Sequence, residues 1–121
     1  MAVRHASVRT SRVADGWYVV AIAGDLEVDV GPTLHRSLHD LVERGATTVI
    51  VDLLEVSFID SAGLSVLVGA AGALQAAGGE LVVVSDSPDA QKLLGSAANG
   101  DSFRLETSLV RAVTHAVDRR E

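Results

Sequence analysis

The chain has 121 residues, of which 48% are hydrophobic and 21% charged, so it is long and apolar enough to fold around a single core. A formal net charge of −6 and an aromatic content of 3% argue against phosphate-backbone binding and base stacking, so we expect no nucleic-acid partner. The chain has no cysteine for disulfide or thiol chemistry, and its basic first ten residues lack the apolar core of a signal peptide. These features predict one cytoplasmic domain over residues 1–121.

The first half of the chain predicts two strands, a helix and a third strand. Residues 3–8 form a weak candidate edge strand and residues 17–24 (WYVVAIAG) a strong strand, and the two could pair as a hairpin because no helix separates them. Leucines at helical spacing predict a helix that begins near Pro32 and ends at Gly45. The β-branched run at 47–53 (TTVIVDL) predicts a buried strand.

The second half of the chain alternates helices with strands. The helix after Ser61 is predicted to face the core with an apolar stripe made of Leu64, Leu67, Val68, Ala71 and Leu74. Glycines 78 and 79 end it, and the remaining elements are a strand at 80–86, a helix from Pro88, a strand at 102–106 and a helix at 107–117. That closing helix would turn Leu109, Val110 and Val113 inward.

This order of elements predicts an α/β fold. We expect a mixed sheet of four to five strands with right-handed parallel crossovers, and about four helices packed largely on one face. Residues 61–79 carry no charge over nineteen positions, a length that suggests a membrane span. Their glycine and alanine content is too weakly apolar for lipid, so we predict instead a helix covered by protein on several sides, and no membrane partner.

Two arrangements that could carry catalysis or a metal ion are incomplete. Ser61 has a glycine only on its C-terminal side, whereas a hydrolase nucleophile elbow reads G-x-S-x-G. His35 and His39 stand four residues apart, a spacing that can place two imidazoles on one metal, but the only acids nearby are Asp40 and Glu43. An exposed amphipathic helix face accounts better for these histidines. We therefore predict no enzyme, no catalytic residue, no metal site and no cofactor.

Six carboxylates lie near the predicted strand-to-helix connections: Asp25, Glu27, Asp29, Asp52, Glu55 and Asp60. A phosphoacceptor aspartate with bound Mg²⁺ would also need a lysine at the end of a late strand, but the only lysine, Lys92, falls inside a predicted helix. We interpret the acids as a solvated rim that favours a basic partner. The run at 69–79 (GAAGALQAAGG) lacks both phosphate-binding glycine patterns.

Two compatible interpretations remain for Ser61. It could cap the helix that follows, accepting a hydrogen bond from an early backbone N–H. It could also be a phosphorylation switch, because the helix has a second face of small residues, namely Ser65, Gly69, Gly72 and Ala76. Small residues allow close approach of another backbone, and a phosphate of about −2 charge at the top of that face would disrupt the contact. The helix N-terminus favours such an anion, whereas Asp60 opposes it.

The segment 51–64 (VDLLEVSFIDSAGL) resembles the signature of the STAS domain, as found in bacterial anti-sigma-factor antagonists, also called anti-anti-sigma factors. Residues 20–38 (VAIAGDLEVDVGPTLHRSL) resemble the early strand, acidic loop and first helix of that family. Residues 78–97 and 103–113 resemble its later half. The resemblance therefore covers nearly the whole chain and implies the STAS fold.

The resemblance implies that this chain is a switch. An anti-sigma factor with serine kinase activity would phosphorylate Ser61, the unphosphorylated form would bind that partner and release a sigma factor, and a serine phosphatase would reset it. The family's acidic loop corresponds to residues 24–27. From the acids before Ser61 and the small face after it we predict a partner contact made of Asp25, Glu27, Asp60, Ala62, Gly63, Ser65, Gly69 and Gly72. Two features depart from the family pattern: the acids at 25 and 27 stand in the opposite order from many members, and the histidines at 35 and 39 are not part of it. The alternative is a STAS scaffold subunit of a stress-signalling or transport complex that is never phosphorylated.

Overall fold

A computed structural model describes residues 7–23, 31–56, 59–99 and 103–120 of the protein. The elements within these ranges are β1 (Ser7–Ala14), β2 (Trp17–Ala23), α1 (Gly31–Glu43), β3 (Thr48–Glu55), α2 (Ser61–Ala76), β4 (Glu80–Val84), α3 (Pro88–Asn99), β5 (Arg104–Glu106) and α4 (Leu109–Arg120). Every element predicted from the sequence is present, and the α/β assignment is confirmed.

The five strands form one mixed sheet in the order β1-β2-β3-β4-β5. β1 and β2 pair antiparallel as the predicted hairpin, and the other neighbours pair parallel through helical connections. The register places Thr48 of β3 between Trp17 of β2 and Glu80 of β4. The carboxyl ends of the parallel strands therefore lie along one edge of the sheet, which is where an open α/β sheet gathers its functional residues.

Three helices cover one face of the sheet. The main core contains buried residues of α1, α2 and α3, such as Leu34, Leu67 and Leu94, packed with Val20 and Val49 of the strands. The fourth helix lies on the opposite face, where Ala112 packs in a smaller cluster of four buried residues with Ile50, Val82 and Val84. The expectation that helices pack largely on one face is confirmed for α1 to α3. The predicted inward position of Val110 is wrong, because 76% of its surface is exposed.

The hairpin is longer than its sequence suggests. β1 runs to Ala14, well beyond the predicted end at residue 8, and residues 3–6 lie outside the described ranges. Gly16 permits the tight turn because its φ of 74° lies in the left-handed region. Its carbonyl also accepts hydrogen bonds from the backbone N–H groups of Thr47 and Thr48, at 2.8 and 3.1 Å, which fix the turn against the start of β3.

The long uncharged segment forms a helix of sixteen residues, α2. Within the described part of the chain, no helix is both long and apolar enough to cross a membrane. α2 instead packs against α1, β4 and α3, and it buries Gly63, Leu67, Ala70, Ala71 and Leu74.

Candidate functional site

The connection from β3 to α2 ends in a helix cap made by Asp60. Asp60 has an extended backbone, with φ −99° and ψ 177°, and its Oδ1 accepts a hydrogen bond from the backbone N–H of Gly63 at 2.8 Å. Aspartate is among the best N-cap residues, and its charge also suits the positive end of the helix dipole. Ile59 before it is buried and Leu64 packs against the same core, which are the two positions of a hydrophobic staple.

Ser61 is the first residue of α2, as predicted, and its side chain is exposed. The prediction that Ser61 caps the helix is wrong. The chain leaves the extended conformation one residue earlier than that prediction requires, so the capping position falls on Asp60. The backbone carbonyl of Ser61 accepts a hydrogen bond from Ser65 Oγ at 2.9 Å, and the Ser61 hydroxyl has no hydrogen-bond partner within the described residues.

The exposed surface of α2 is lined with small residues. Ser65, Gly69, Gly72 and Ala76, which we call the small-residue face, are all exposed, as the spacing predicted. A Cβ atom built on Gly69 or Gly72 would meet no atom within 4 Å, so the surface above both glycines is open. Val68, which was predicted to face the core, is 37% exposed and lies beside this face. Because the residues of this face are small and the space above them is open, the surface of a partner protein can approach the α2 backbone closely.

The other residues predicted to bind the partner differ in how exposed they are. Asp60 and Ala62 are half-buried at the start of α2, beside the exposed Ser61. Gly63 is buried, and its N–H serves the Asp60 cap. Asp25 and Glu27, together with the rim acid Asp29, lie outside the described residues.

A second acid of the predicted solvated rim, Asp52, also accepts a backbone hydrogen bond, as Asp60 does. Asp52 lies inside β3, three residues before the strand ends, and is half-buried. Its Oδ1 accepts a hydrogen bond from the backbone N–H of Leu54 at 2.9 Å. Asp52 is therefore only partly exposed and is held against the strand, whereas Glu55 at the end of the strand is exposed as expected.

A shallow groove of about 40 Å³ runs between α1 and α2. His35 and His39 line it on one side and Gly69 and Ala73 on the other. The two imidazole rings are parallel, with 5° between their planes and 6.1 Å between their centroids. Gly69 lies eight residues after Ser61, which is about 12 Å along the helix axis, so the histidines do not adjoin the serine.

The structure also brings together residues that the sequence analysis did not pair. Glu43 Oε1 lies 3.1 Å from His39 Nε2, and the part of the chain that is described holds no group of three or more His, Cys, Asp or Glu that could hold a metal ion. The four-residue spacing from 39 to 43 was the signal for this pair. A second, polar cleft of about 480 Å³ opens between β1, β2 and α1, lined by Thr10, Arg12, Tyr18, Ser37, Asp40, Leu41 and Arg44. No pattern along the sequence joins these positions, because the hairpin and α1 meet only in the fold.

The sequence matches the STAS domain family over residues 9–112. Among curated proteins it is similar to the anti-sigma-B factor antagonist of Staphylococcus aureus strain NCTC 8325, with 34% identity over 73 residues. That alignment covers 60% of this chain and 68% of the relative.

Solved structures share the fold. An anti-sigma factor antagonist from Mycobacterium paratuberculosis superimposes with a TM-score of 0.80 at 23% identity, over 92% of this chain and 93% of that one. The anti-sigma factor antagonist SpoIIAA in its unphosphorylated form superimposes with a TM-score of 0.74 at 19% identity, over 93% of this chain and 98% of that one. SpoIIAA of Bacillus in the phosphorylated form gives 0.71 at 22% identity, over 95% and 100%.

Proposed function

The chain belongs to the STAS domain family, and on that premise we propose that it is an anti-sigma factor antagonist switched by phosphorylation of Ser61. The unphosphorylated chain binds an anti-sigma factor that has serine kinase activity, and this binding releases a sigma factor. Phosphorylation by that partner ends the binding, and a serine phosphatase restores it. The observation that carries the proposal is the exposed Ser61 at the head of α2, directly above the small-residue face.

The position of Ser61 suits a kinase substrate. Its side chain is exposed, and the neighbouring Asp60 rather than Ser61 supplies the cap of the helix. A kinase can therefore engage the hydroxyl without breaking a bond that holds α2 in place. The relatives named as anti-sigma-B factor antagonists support the partner class, and a fold shared with a protein solved in a phosphorylated form supports the kind of switch.

The small-residue face supports a docking role for α2. The helix carries no charged residue, and its exposed glycines leave room for a partner backbone. Asp60 stands at the head of this helix, and we expect it and the acids at 25 and 27 to attract a basic partner surface. The proposed contact therefore has two parts. The neutral surface packs closely against the partner, and the acidic residues attract the basic partner during association.

A phosphate on Ser61 would oppose this docking. A neutral hydroxyl costs little to cover, but a dianion must lose water beside the carboxylate of Asp60. The phosphate also competes with Asp60 for the N–H groups at the helix start, where Gly63 N–H is already bonded. A penalty of roughly 2–4 kcal/mol corresponds to binding that is about 30- to 1000-fold weaker.

The test is to mix the protein with an anti-sigma factor with kinase activity, with and without ATP, and to measure intact mass and affinity. We expect one phosphate on Ser61 and loss of binding in the presence of ATP. Ser61→Ala should bind and resist ATP, and Ser61→Asp should weaken binding less than phosphate does. Ser11→Ala is the control, because Ser11 is an exposed serine on β1, outside the predicted partner contact.

Two results would contradict the proposal. If the phosphate is found on another residue, Ser61 is not the modified serine. If the phosphorylated and unphosphorylated forms bind the anti-sigma factor with equal affinity, phosphorylation is not the switch. Stable assembly without any phosphorylation would point instead to a scaffold subunit of a signalling or transport complex. In the proposed role the chain acts in the cytoplasm as a single domain, by binding rather than by catalysis.

A further inference from the structure

The polar cleft between the β-hairpin and α1 has the size of a small-molecule site. It holds about 480 Å³, and ligand pockets in proteins typically measure about 300–1,000 Å³. Its lining carries two guanidinium groups, one carboxylate and three hydroxyl groups. We propose that this cleft binds a small molecule that carries a carboxylate or phosphate group, with Arg12 and Arg44 as its main contacts.

One wall of the cleft is the sheet face that turns toward α1. Thr10 and Arg12 stand two residues apart in β1, so their side chains leave the same face of the sheet. Arg12 pairs with Tyr18 of β2 in the antiparallel register, which puts these two side chains next to each other on that face. Tyr18 is half-buried and packs against the main core, so this wall has a fixed position.

The other wall is one side of α1 and of the residue that follows it. Its members recur at the spacing of a single helix face, and they are Ser37, Asp40, Leu41 and Arg44. Arg44 comes directly after the last residue of α1, and its backbone N–H donates to the carbonyl of Asp40 at 3.0 Å, which continues the helical turn. Leu41 is buried in the main core and anchors this wall to the sheet.

The cleft offers more hydrogen-bond donors than acceptors, because a guanidinium group donates through all its nitrogens and accepts through none. Arg44 uses its Nε on Asp40 Oδ2 at 3.0 Å. Arg12 uses one terminal nitrogen on Asp15, which is not part of the lining. Among the described residues, neither guanidinium has a further partner, and the hydroxyl of Tyr18 has none. A ligand that fits must therefore supply acceptor oxygens, and carboxylate and phosphate groups match the planar fork of a guanidinium.

The charges around the cleft allow an anion to bind. The lining carries two positive charges against one negative charge. Charges farther away than a Debye length of about 8 Å are screened at physiological ionic strength, so the formal net charge of −6 acts only weakly here. Exposed ion pairs contribute little to stability, and the carboxylate of Asp15 is 91% exposed, so a ligand can replace it on Arg12.

The inference is independent of the switch at Ser61. The lining residues come from β1, β2 and the C-terminal half of α1 with Arg44 behind it, and the proposed partner contact uses none of them. Its test needs no protein partner, so its failure would leave the proposed function unaffected.

The test is titration of the isotope-labelled protein with succinate and with inorganic phosphate, followed by nuclear magnetic resonance at constant ionic strength with sodium chloride as the balancing salt. We expect saturable shifts of amide signals that are confined to residues 10–12, 18 and 37–44. Tighter binding of succinate identifies a carboxylate as the bound group, and tighter binding of phosphate identifies a phosphate.

Substitutions of the two arginines separate the cleft from a general charge effect. Arg12→Gln and Arg44→Gln should each weaken binding by about three- to tenfold, and the double variant should lose it. Arg44→Lys should fall between the parent and Arg44→Gln, because lysine keeps the charge without the planar fork. Arg9→Gln is the matched control, since Arg9 is exposed on β1 but leaves the opposite face of the sheet.

The circular dichroism of each variant should match that of the parent, because the substituted side chains are exposed. The inference is overturned if neither succinate nor phosphate gives saturable shifts, or if the double variant binds like the parent. It is also overturned if Arg9→Gln weakens binding as much as Arg12→Gln does, because the effect then comes from the charge of the strand and not from the cleft.

Discussion

The cap of α2 gives a direct test of how the site is built, because the two candidate caps are adjacent. Asp60 accepts the Gly63 N–H bond, whereas Ser61 is exposed in the first helical turn. Asp60→Ala removes a capping bond worth ~1 kcal/mol. It also removes a carboxylate from the positive helix end, a contribution of about 0.3–1 kcal/mol. We therefore expect Asp60→Ala to lower the free energy of unfolding by about 1.5 kcal/mol.

Ser61→Ala should have almost no effect on stability. Alanine is a better helix former than serine by up to ~0.5 kcal/mol, so the change should be within about 0.5 kcal/mol and should favour the variant. Asp60→Asn is the matched control, since asparagine retains the capping bond and loses only the charge. It should fall between the other two variants, at roughly 0.5 kcal/mol of destabilisation.

Urea unfolding followed by circular dichroism measures all three variants. The midpoint should fall for Asp60→Ala with an unchanged m-value, which shows that stability rather than compactness has changed. In a thermal scan the same loss lowers Tm by roughly 3–5 °C per kcal/mol. If Ser61→Ala destabilises the protein as much as Asp60→Ala does, the cap has been assigned to the wrong residue and the argument fails.

Four further predictions concern the fold and the proposed partner surface. Gly79→Ala should destabilise the protein by about 1–3 kcal/mol in urea unfolding, because the new Cβ would lie 2.6 Å from a backbone carbonyl oxygen. Gly69→Leu should block binding of the anti-sigma factor. The control, Gly95→Leu, lies on another helix with equally open space and should leave binding intact. If the two variants bind with equal affinity, the small-residue face is not the partner contact. Asp25→Lys should slow association and reduce its salt dependence, measured by stopped flow at several ionic strengths. Asp60→Asn should narrow the affinity difference between phosphorylated and unphosphorylated protein by about tenfold.

The sequence predicted the elements best where one strong local signal decided them. The β-branched run became β3, and the glycines that end the helices adopt the left-handed conformation, with φ 83° at Gly45 and φ 82° at Gly78. β1 was predicted too short because its residues are mostly polar and exposed. Its length comes from pairing with β2, which is a contact between segments that local residue preference does not encode.

Single-position errors had a different cause. Val68 and Val110 were expected in the core because each adjoins a buried helical stripe. The part of each helix that is covered is narrower than its stripe of apolar residues, so both valines remain exposed. Asp60 and Ser61 are both good caps, and only the backbone angles of the folded chain distinguish them. The exposed small-residue face was predicted correctly because these residues lie on the side of α2 that does not carry the buried leucines. The His39 and Glu43 pair was overlooked because side-chain rotamers decide whether such a pair meets.

The expected effect of Asp60→Asn follows from the neighbouring positions of cap and switch. A phosphate on Ser61 would stand on the order of 6 Å from the carboxylate of Asp60, and a dianion and a monoanion at that separation repel by about 1.4 kcal/mol in water. When a partner covers the site, a fall in the effective dielectric constant from about 80 to about 40 doubles this repulsion. The additional ~1.4 kcal/mol opposes docking of the phosphorylated form alone and corresponds to a tenfold change in affinity. Asparagine keeps the bond to Gly63 N–H and removes this repulsion, so titration of both forms of the variant isolates the charge. An unchanged affinity ratio would mean that the phosphate acts by bulk and desolvation and that Asp60 serves only as the cap.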